Sequence, residues 1–86
     1  MAVTLLYLAW VREKIGIAEE SIDMLPPGID TPTALVLWLA LRGEGYAAAF
    51  ADVSRLRCAV DQKMTAMDAL LGSPQEIAFF PPVTGG

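Results

Sequence analysis

Residues 3 to 11, VTLLYLAWV, are apolar at nearly every position and rich in β-branched, aromatic and leucine residues. That pattern predicts a strand near the centre of a sheet, covered on both faces, or covered on one and adhesive on the other. Strand alternation sends Leu5, Tyr7 and Ala9 to one side and Leu6, Leu8 and Trp10 to the other. The charged stretch REKIGIAEE, with Gly16, reads as a connection, and SIDML at 21 to 25 as a second strand with Ile22 and Met24 on one face and Asp23 on the other. The two make a hairpin. Pro26, Pro27 and Gly28 stop it, Thr31 is placed to cap a helix whose first position is Pro32, and Arg42 and Gly43 supply the cation and the glycine that close one. YAAAFA at 46 to 51 adds a helical turn or two. RLRCAVDQ at 55 to 62 reads as a third strand, MDALLGSP at 67 to 74 as a short helical turn ending at Gly72, and EIAFF at 76 to 80 as the last strand. The expectation is an α+β domain of order β-β-α-β-β, a mixed sheet of four to five strands packed on one main helix.

Two segments hold more apolar residues than this scheme can bury. ALVLWLAL at 34 to 41 is apolar over eight consecutive positions, wider than the single stripe of an amphipathic helix. Some of Val36, Leu37 and Trp38 must lie off that stripe, either packed under the 46 to 51 segment or in contact with another copy of the chain. In the last strand Phe79 and Phe80 cannot both enter one core: if Ile77 and Phe79 face the helix, Phe80 faces outward. If the first and last strands are neighbours, Leu8 joins Phe80 in an outer patch that Met64, in a turn at 62 to 66, extends. No second long helix is available to cover it, so a partner site is the favoured reading.

Beyond Phe80 the chain changes character, dividing residues 1–80 as a globular domain from residues 81–86 as an extended tail. Pro81 and Pro82 lack amide donors and fix φ, so they leave the sheet ladder and stiffen the exit. Val83 and Thr84 keep the chain extended, and Gly85 and Gly86 present a carboxylate free of nearby side chains, thin enough for a narrow channel.

Composition narrows the chemistry. Eighty-six residues, 55% hydrophobic, make one small domain. The longest apolar run is too short to cross a bilayer as a helix, and no basic segment leads into an apolar signal core. With a single cysteine, Cys58, and no histidine, disulfide, zinc and Cys-His arrangements cannot be built from this chain alone. These features point to a reducing cytoplasm, with Cys58 a small core residue. A formal charge of −4 disfavours nucleic-acid partners. Asp23, Glu44, Asp52, Asp61 and Asp68 show no metal-loop spacing. Arg12 and Lys63 are the cations expected near the tail, and Arg55 and Arg57 read as scattered surface charges.

The ending FFPPVTGG, with AVDQKM, EIAFF and the N-terminal LAWVRE, resembles the ubiquitin-like sulfur carriers that serve as small subunits of molybdopterin synthase. The resemblance spans the whole chain and is most specific in the tail. It implies a β-grasp (ubiquitin-like) fold and chemistry centred on Gly86, with Gly85 beside it. An ATP-dependent adenylating enzyme, similar to the one that primes ubiquitin, would adenylate the terminal carboxylate, and a sulfur donor protein would convert it to a thiocarboxylate. A large catalytic subunit would receive the tail, and the sulfur would pass to cyclic pyranopterin monophosphate to build the molybdopterin dithiolene. The resemblance also implies a heterotetramer of two small and two large subunits, catalytic side chains in the large subunit, and no cofactor bound to the small one. Leu8, Met64, Phe80, Pro81, Pro82, Val83 and Thr84 would bind the partner. The alternatives are a related carrier serving thiamine or tRNA thiolation, and an interaction domain or protein modifier without sulfur chemistry. The sequence departs from the family in its apolar helix and in GSPQE at 72 to 76, where an acidic turn is usual.

Overall fold

The structure, a computed structural model, describes residues 2–82. Among them five strands form one mixed sheet: β1 (Val3–Tyr7), β2 (Glu19–Ile22), β3 (Arg57–Val60), β4 (Lys63–Thr65) and β5 (Glu76–Phe80), in the order β2-β1-β5-β3-β4. β1 and β5 run parallel at the centre and the other pairs are antiparallel. Three helices, α1 (Ala9–Ile15), α2 (Pro32–Leu39) and α3 (Glu44–Ala49), share one core with the inward residues of the sheet. Leu5, Tyr7, Cys58, Ile77 and Phe79 come from the strands, and Val11, Leu35, Val36 and Leu39 from the helices. No helix among the described residues is long and apolar enough to cross a membrane.

The start of α2 follows its sequence signals. Thr31 Oγ1 accepts a hydrogen bond from Ala34 N at 3.1 Å, and Pro32 sits at the first turn, where a missing N–H costs nothing. Pro32, Leu35, Val36 and Leu39 are buried at the i, i+3, i+4, i+7 spacing of one stripe. Trp38 lies off it, packed against the core margin, with the Arg42 guanidinium over its ring at 5.6 Å and over the Tyr46 ring at 5.0 Å. Val36 is thus buried in the shared core, and Arg42 bridges Trp38 to Tyr46 of α3. Leu37 and Leu41 remain exposed.

A polar junction ties this helical layer to the sheet. Glu20 on β2 accepts hydrogen bonds from the Tyr7 hydroxyl at 2.7 Å and the Tyr46 hydroxyl at 2.6 Å, and pairs with Arg42 at 3.0 Å. Burial alone pushes the Glu20 carboxyl upward. The two phenol hydrogen bonds and the arginine outweigh that effect and hold it below the ordinary glutamate value. The Tyr7 hydroxyl is pushed up, first by burial and then by its carboxylate partner.

Elsewhere the structure corrects the sequence reading. The apolar run 3 to 11 is two elements. β1 ends at Tyr7, Leu8 is still extended and donates its N–H to Phe79 O at 3.1 Å, and Ala9, at φ +53°, turns the chain into α1. Residues 12 to 15, expected in a connection, are thus helical, and Gly16 closes the helix in the left-handed conformation. Trp10 accordingly belongs to α1, not to the outward row of a strand. The second strand is 19 to 22 rather than 21 to 25, which leaves Met24 beyond its end and exposed rather than on a strand face with Ile22. The third strand is shorter than 55 to 62, because Val53–Arg55 forms a 3-10 turn capped by Asp52.

Residues 67 to 74 contain turns and no helix. Leu71 N donates to Asp30 O at 2.8 Å, and both Thr33 N and Thr33 Oγ1 donate to Met67 O, so the segment is tied to the start of α2 in addition to its local turn bond from Ala69 N to Ala66 O. The expected turn at 62 to 66 contains β4, joined to β3 by a two-residue turn in which Asp61 and Gln62 both have positive φ. The Asp61 carboxylate accepts from Gln75 N at 2.9 Å and Glu76 N at 3.0 Å, which anchors this turn to the start of β5.

Candidate functional site

The helices all cover one face of the sheet, and the opposite face carries no second layer among the described residues. Its composition follows from the register. Leu6 pairs with Ala78, Ala78 with Ala59, and Ala59 with Met64, so four apolar residues from β1, β5, β3 and β4 cross the sheet in one row. Continuing the β1–β5 register past Tyr7 and Phe79 sets Leu8 beside Phe80, and Phe80 pairs in turn with Arg57. Leu8 is 49% exposed and Met64 67%, with Phe80 half-buried between its neighbours. Toward the other end of the strands Thr4 and Glu76 form the next pair, so the surface turns polar there.

Ala78 and Ala59 form a low floor between the taller Leu8, Phe80 and Met64. A surface of that relief suits an apolar partner able to fill the depression, and the largest protruding side chains on it are an aliphatic, an aromatic and a methionine. Pro81 and Pro82 leave from the Phe80 end and are half-buried. Val83, Thr84, Gly85 and Gly86 lie outside the described residues.

Of the cations, Lys63 does not stand near the exit. It pairs with Val60 at the level of Ile77, on the edge strand. Arg12 is in the last turn of α1. Strand pairing sets two further arginines at the exit: Arg57, on the outer face opposite Phe80, and Arg55, whose guanidinium lies over the Trp10 ring at 5.4 Å. Both were read from sequence as scattered. Their position depends on β3 being antiparallel to β5, which brings the beginning of one strand to the end of the other.

Cys58 is buried, its thiol donating to Thr65 O at 3.1 Å and pushed above its ordinary pKa by burial, so it behaves as a core residue rather than a nucleophile. No metal-binding cluster of histidine, cysteine or carboxylate residues occurs among the described residues. A concavity of about 730 Å³ is at the other pole, between Ala2–Thr4, Met24, Leu25 and Gly72–Glu76. Its described lining offers a single carboxylate, Glu76, without a base or thiol to pair with it. The described domain therefore presents an uncovered apolar face beside the Pro81-Pro82 exit.

A family model, described as the ThiS family, matches residues 5–86. The chain belongs to the ThiS family. The molybdopterin synthase sulfur carrier subunit of Escherichia coli K12 is 37% identical over 86 residues, covering 98% of this chain and 99% of the relative. The protein of the same description from Haemophilus influenzae is 34% identical over 84 residues, with the same coverage. Among solved structures, the Pyrococcus furiosus protein described as subunit 1 of a molybdopterin converting factor superposes with a TM-score of 0.69 at 26% identity, covering 96% of this chain and 99% of that one. SAMP1 from Haloferax volcanii superposes with a TM-score of 0.67 over the full length of both chains, and at 19% identity it speaks for the fold alone. The fold is the ubiquitin-like β-grasp, a mixed sheet clasping its helices on one side.

Proposed function

We propose that this chain is the sulfur carrier subunit of a molybdopterin synthase, with Gly86 as the group that carries sulfur. The observation that carries the reading is the full-length likeness to two curated sulfur carrier subunits, reaching through the Gly85-Gly86 ending. The described domain fits a carrier: it offers a partner face and an exit for a tail, and it leaves the reaction to others.

In the proposed cycle the Gly86 carboxylate attacks the α-phosphate of ATP in an adenylating enzyme, forming an acyl adenylate and releasing pyrophosphate. A carboxylate is a poor electrophile, and the adenylate gives its carbon a leaving group. A sulfur donor protein then displaces AMP and leaves a thiocarboxylate. In the large synthase subunit the sulfur is transferred to cyclic pyranopterin monophosphate, water restores the carboxylate, and a second delivery completes the dithiolene. Glycine at 85 and 86 permits close approach and any φ that two different active sites impose. The face of Leu8, Met64 and Phe80 docks on the large subunit in a heterotetramer, while Pro81, Pro82, Val83 and Thr84 guide the tail inward. The carrier holds no resident cofactor, and its setting is the cytoplasm, where a lone buried thiol stays reduced.

Loading is the direct test. Incubated with ATP, its adenylating enzyme and a sulfur donor, the intact chain should gain the mass of one sulfur replacing one oxygen. The chain lacking Gly86 should gain nothing and melt at the same temperature. Loading of the truncated chain to the intact level overturns the proposal.

A further inference from the structure

We infer that Arg55 and Arg57 form a basic flank to the apolar docking face and are matched by carboxylates on the large-subunit surface around the entrance that receives the tail. This inference rests on the proposed carrier function and specifies the chemistry of its partner.

Three observations carry it. The first is position: Arg57 lies directly across from Phe80 on the outer face, and Arg55 precedes the same strand at the same pole, so both stand at the root of the tail. The second is that both guanidiniums are held in place before any partner arrives. Arg57 Nη1 donates to Ser54 O at 3.2 Å and Leu56 O at 2.8 Å, leaving Nε and Nη2 without partners among the described residues. Arg55 rests over the Trp10 ring. The third is the lack of neutralisation. The chain carries ten acidic residues against six basic ones, yet the one ion pair among the described residues is Arg42 with Glu20, on the helical side. Asp52 is the carboxylate nearest Arg55 in sequence; it is engaged by Ser54 N at 3.1 Å and Ser54 Oγ at 2.6 Å, and the Arg55 charge helps to lower its pKa without forming an ion pair among the described residues.

Preorganised guanidiniums that make no ion pair among the described residues, beside an apolar patch on an otherwise acidic chain, complement an acidic rim on another protein. A phosphate backbone does not fit, since two arginines on a chain of net charge −4 make too small a basic footprint. The reacting group does not fit either. Six residues separate Phe80 from the end of the sequence, and an extended tail of that length reaches about 20 Å, placing the chemistry well inside the partner while the arginines stay at its mouth. Charges at such a rim act mainly on the association rate and its salt dependence.

The test measures association of the full chain with the large subunit from the same host by stopped-flow fluorescence, at about 0.05 M and about 0.5 M salt, which bracket weak and strong screening. The wild-type rate should fall steeply with salt. The Arg55→Glu/Arg57→Glu double variant should associate about tenfold more slowly at low salt and approach the wild-type rate at high salt. Arg57→Leu, which removes the charge and keeps an apolar stem, should show a smaller low-salt loss and unchanged high-salt binding. Melting curves exclude misfolding as the cause, and if the double variant melts early, Arg57→Leu alone decides. Equal low-salt rates for wild type and variants, with the wild type binding and transferring sulfur, overturn the basic flank and leave the carrier function standing. A wild-type chain that neither binds nor transfers sulfur overturns both.

Discussion

Ile77 and Phe79 leave β5 on one side and Ala78 and Phe80 on the other, and the two sides meet different surroundings. On the inner side Phe79 is fully buried, edge-on to Phe50 at 5.7 Å between ring centres, within the core that the sheet shares with the helices. On the outer side Phe80 is half-buried between Leu8 and Arg57 with no layer above it. The residues are chemically identical and adjacent, so the contrast isolates what the environment does. The inner face is closed by the chain's own helices. The outer face is apolar without being closed, which is the condition of a surface that stabilises an assembly rather than the fold.

The largest effect separates the two phenylalanines. Phe79→Ala should cost about 3–5 kcal/mol of stability, a large part of what a small domain possesses, and it should weaken partner binding only through unfolding. Phe80→Ala should leave the melting temperature nearly unchanged and weaken binding to the large subunit by about 2 kcal/mol or more, roughly thirtyfold. Thermal melts paired with calorimetric titration decide, and interchanged effects would collapse the contrast.

The same two residues show why part of this protein can be read from its sequence. Period-two alternation is a covalent property of extended chain, so Phe80 was legible as an outward residue once EIAFF was taken as a strand, and Leu8 by the same count along the first strand, whereas Met64 was placed only in a turn. Thr31 and Pro32 were legible because capping is local. The junction at Ala9 was not, since alanine at positive φ carries no composition signal and an apolar run looks alike through a strand and into a helix. Asp61 and Gln62 concealed a hairpin for the same reason, and β4 was lost with it. Arg55 and Arg57 were unreadable as neighbours of the tail because their position depends on the pairing of β3 with β5. The tail's meaning rests on its sequence and its relatives, since residues 83 to 86 lie outside the described structure.

A second contrast sets helix against helix on the closed side. α1 and α3 approach so closely that a Cβ on Gly45 would lie 2.5 Å from Lys14 O and 3.3 Å from Ile15 Cα, both backbone atoms that cannot rotate away. Gly45→Ala should therefore force the helices apart and cost about 1–3 kcal/mol. Its affinity for the large subunit, measured well below the lowered melting temperature, should be unchanged, because the helices do not contribute to the outer face. A fall in affinity without unfolding would show that the two faces are mechanically linked.

Acid should loosen the closed side through Glu20. Its folded-state pKa is depressed, so its contribution is fully present above the ordinary value of 4.5 and is lost as pH falls through the lower folded value. Stability should decline on acidification below that point. Glu20→Gln should remove much of that pH dependence and lower stability near neutrality by about 1–2 kcal/mol, since the partners of a half-buried carboxylate are left imperfectly bonded. Denaturant titrations at a series of pH values test both, and identical pH slopes for wild type and variant would exclude Glu20 as the group responsible.

The smallest expected effect lies at the β3–β4 turn, which supports the outer face without belonging to it. Gln62 adopts φ +69°, a conformation in which a side chain crowds the following carbonyl. Glycine meets no such penalty, although its greater freedom in the unfolded chain offsets part of the gain. Gln62→Gly should thus stabilise the domain by about 0.5–1 kcal/mol, visible as a rise of a few degrees in melting temperature. Asp61 should hold the turn in place throughout, because its bonds to Gln75 N and Glu76 N do not involve the substituted side chain. The placement of Met64 opposite Ala59 is set by the same hairpin, so affinity for the large subunit should stay constant or rise slightly. A variant that melts higher yet binds more weakly would mean that the strained turn aims Met64 for docking, and the outer face would then extend into the hairpin itself.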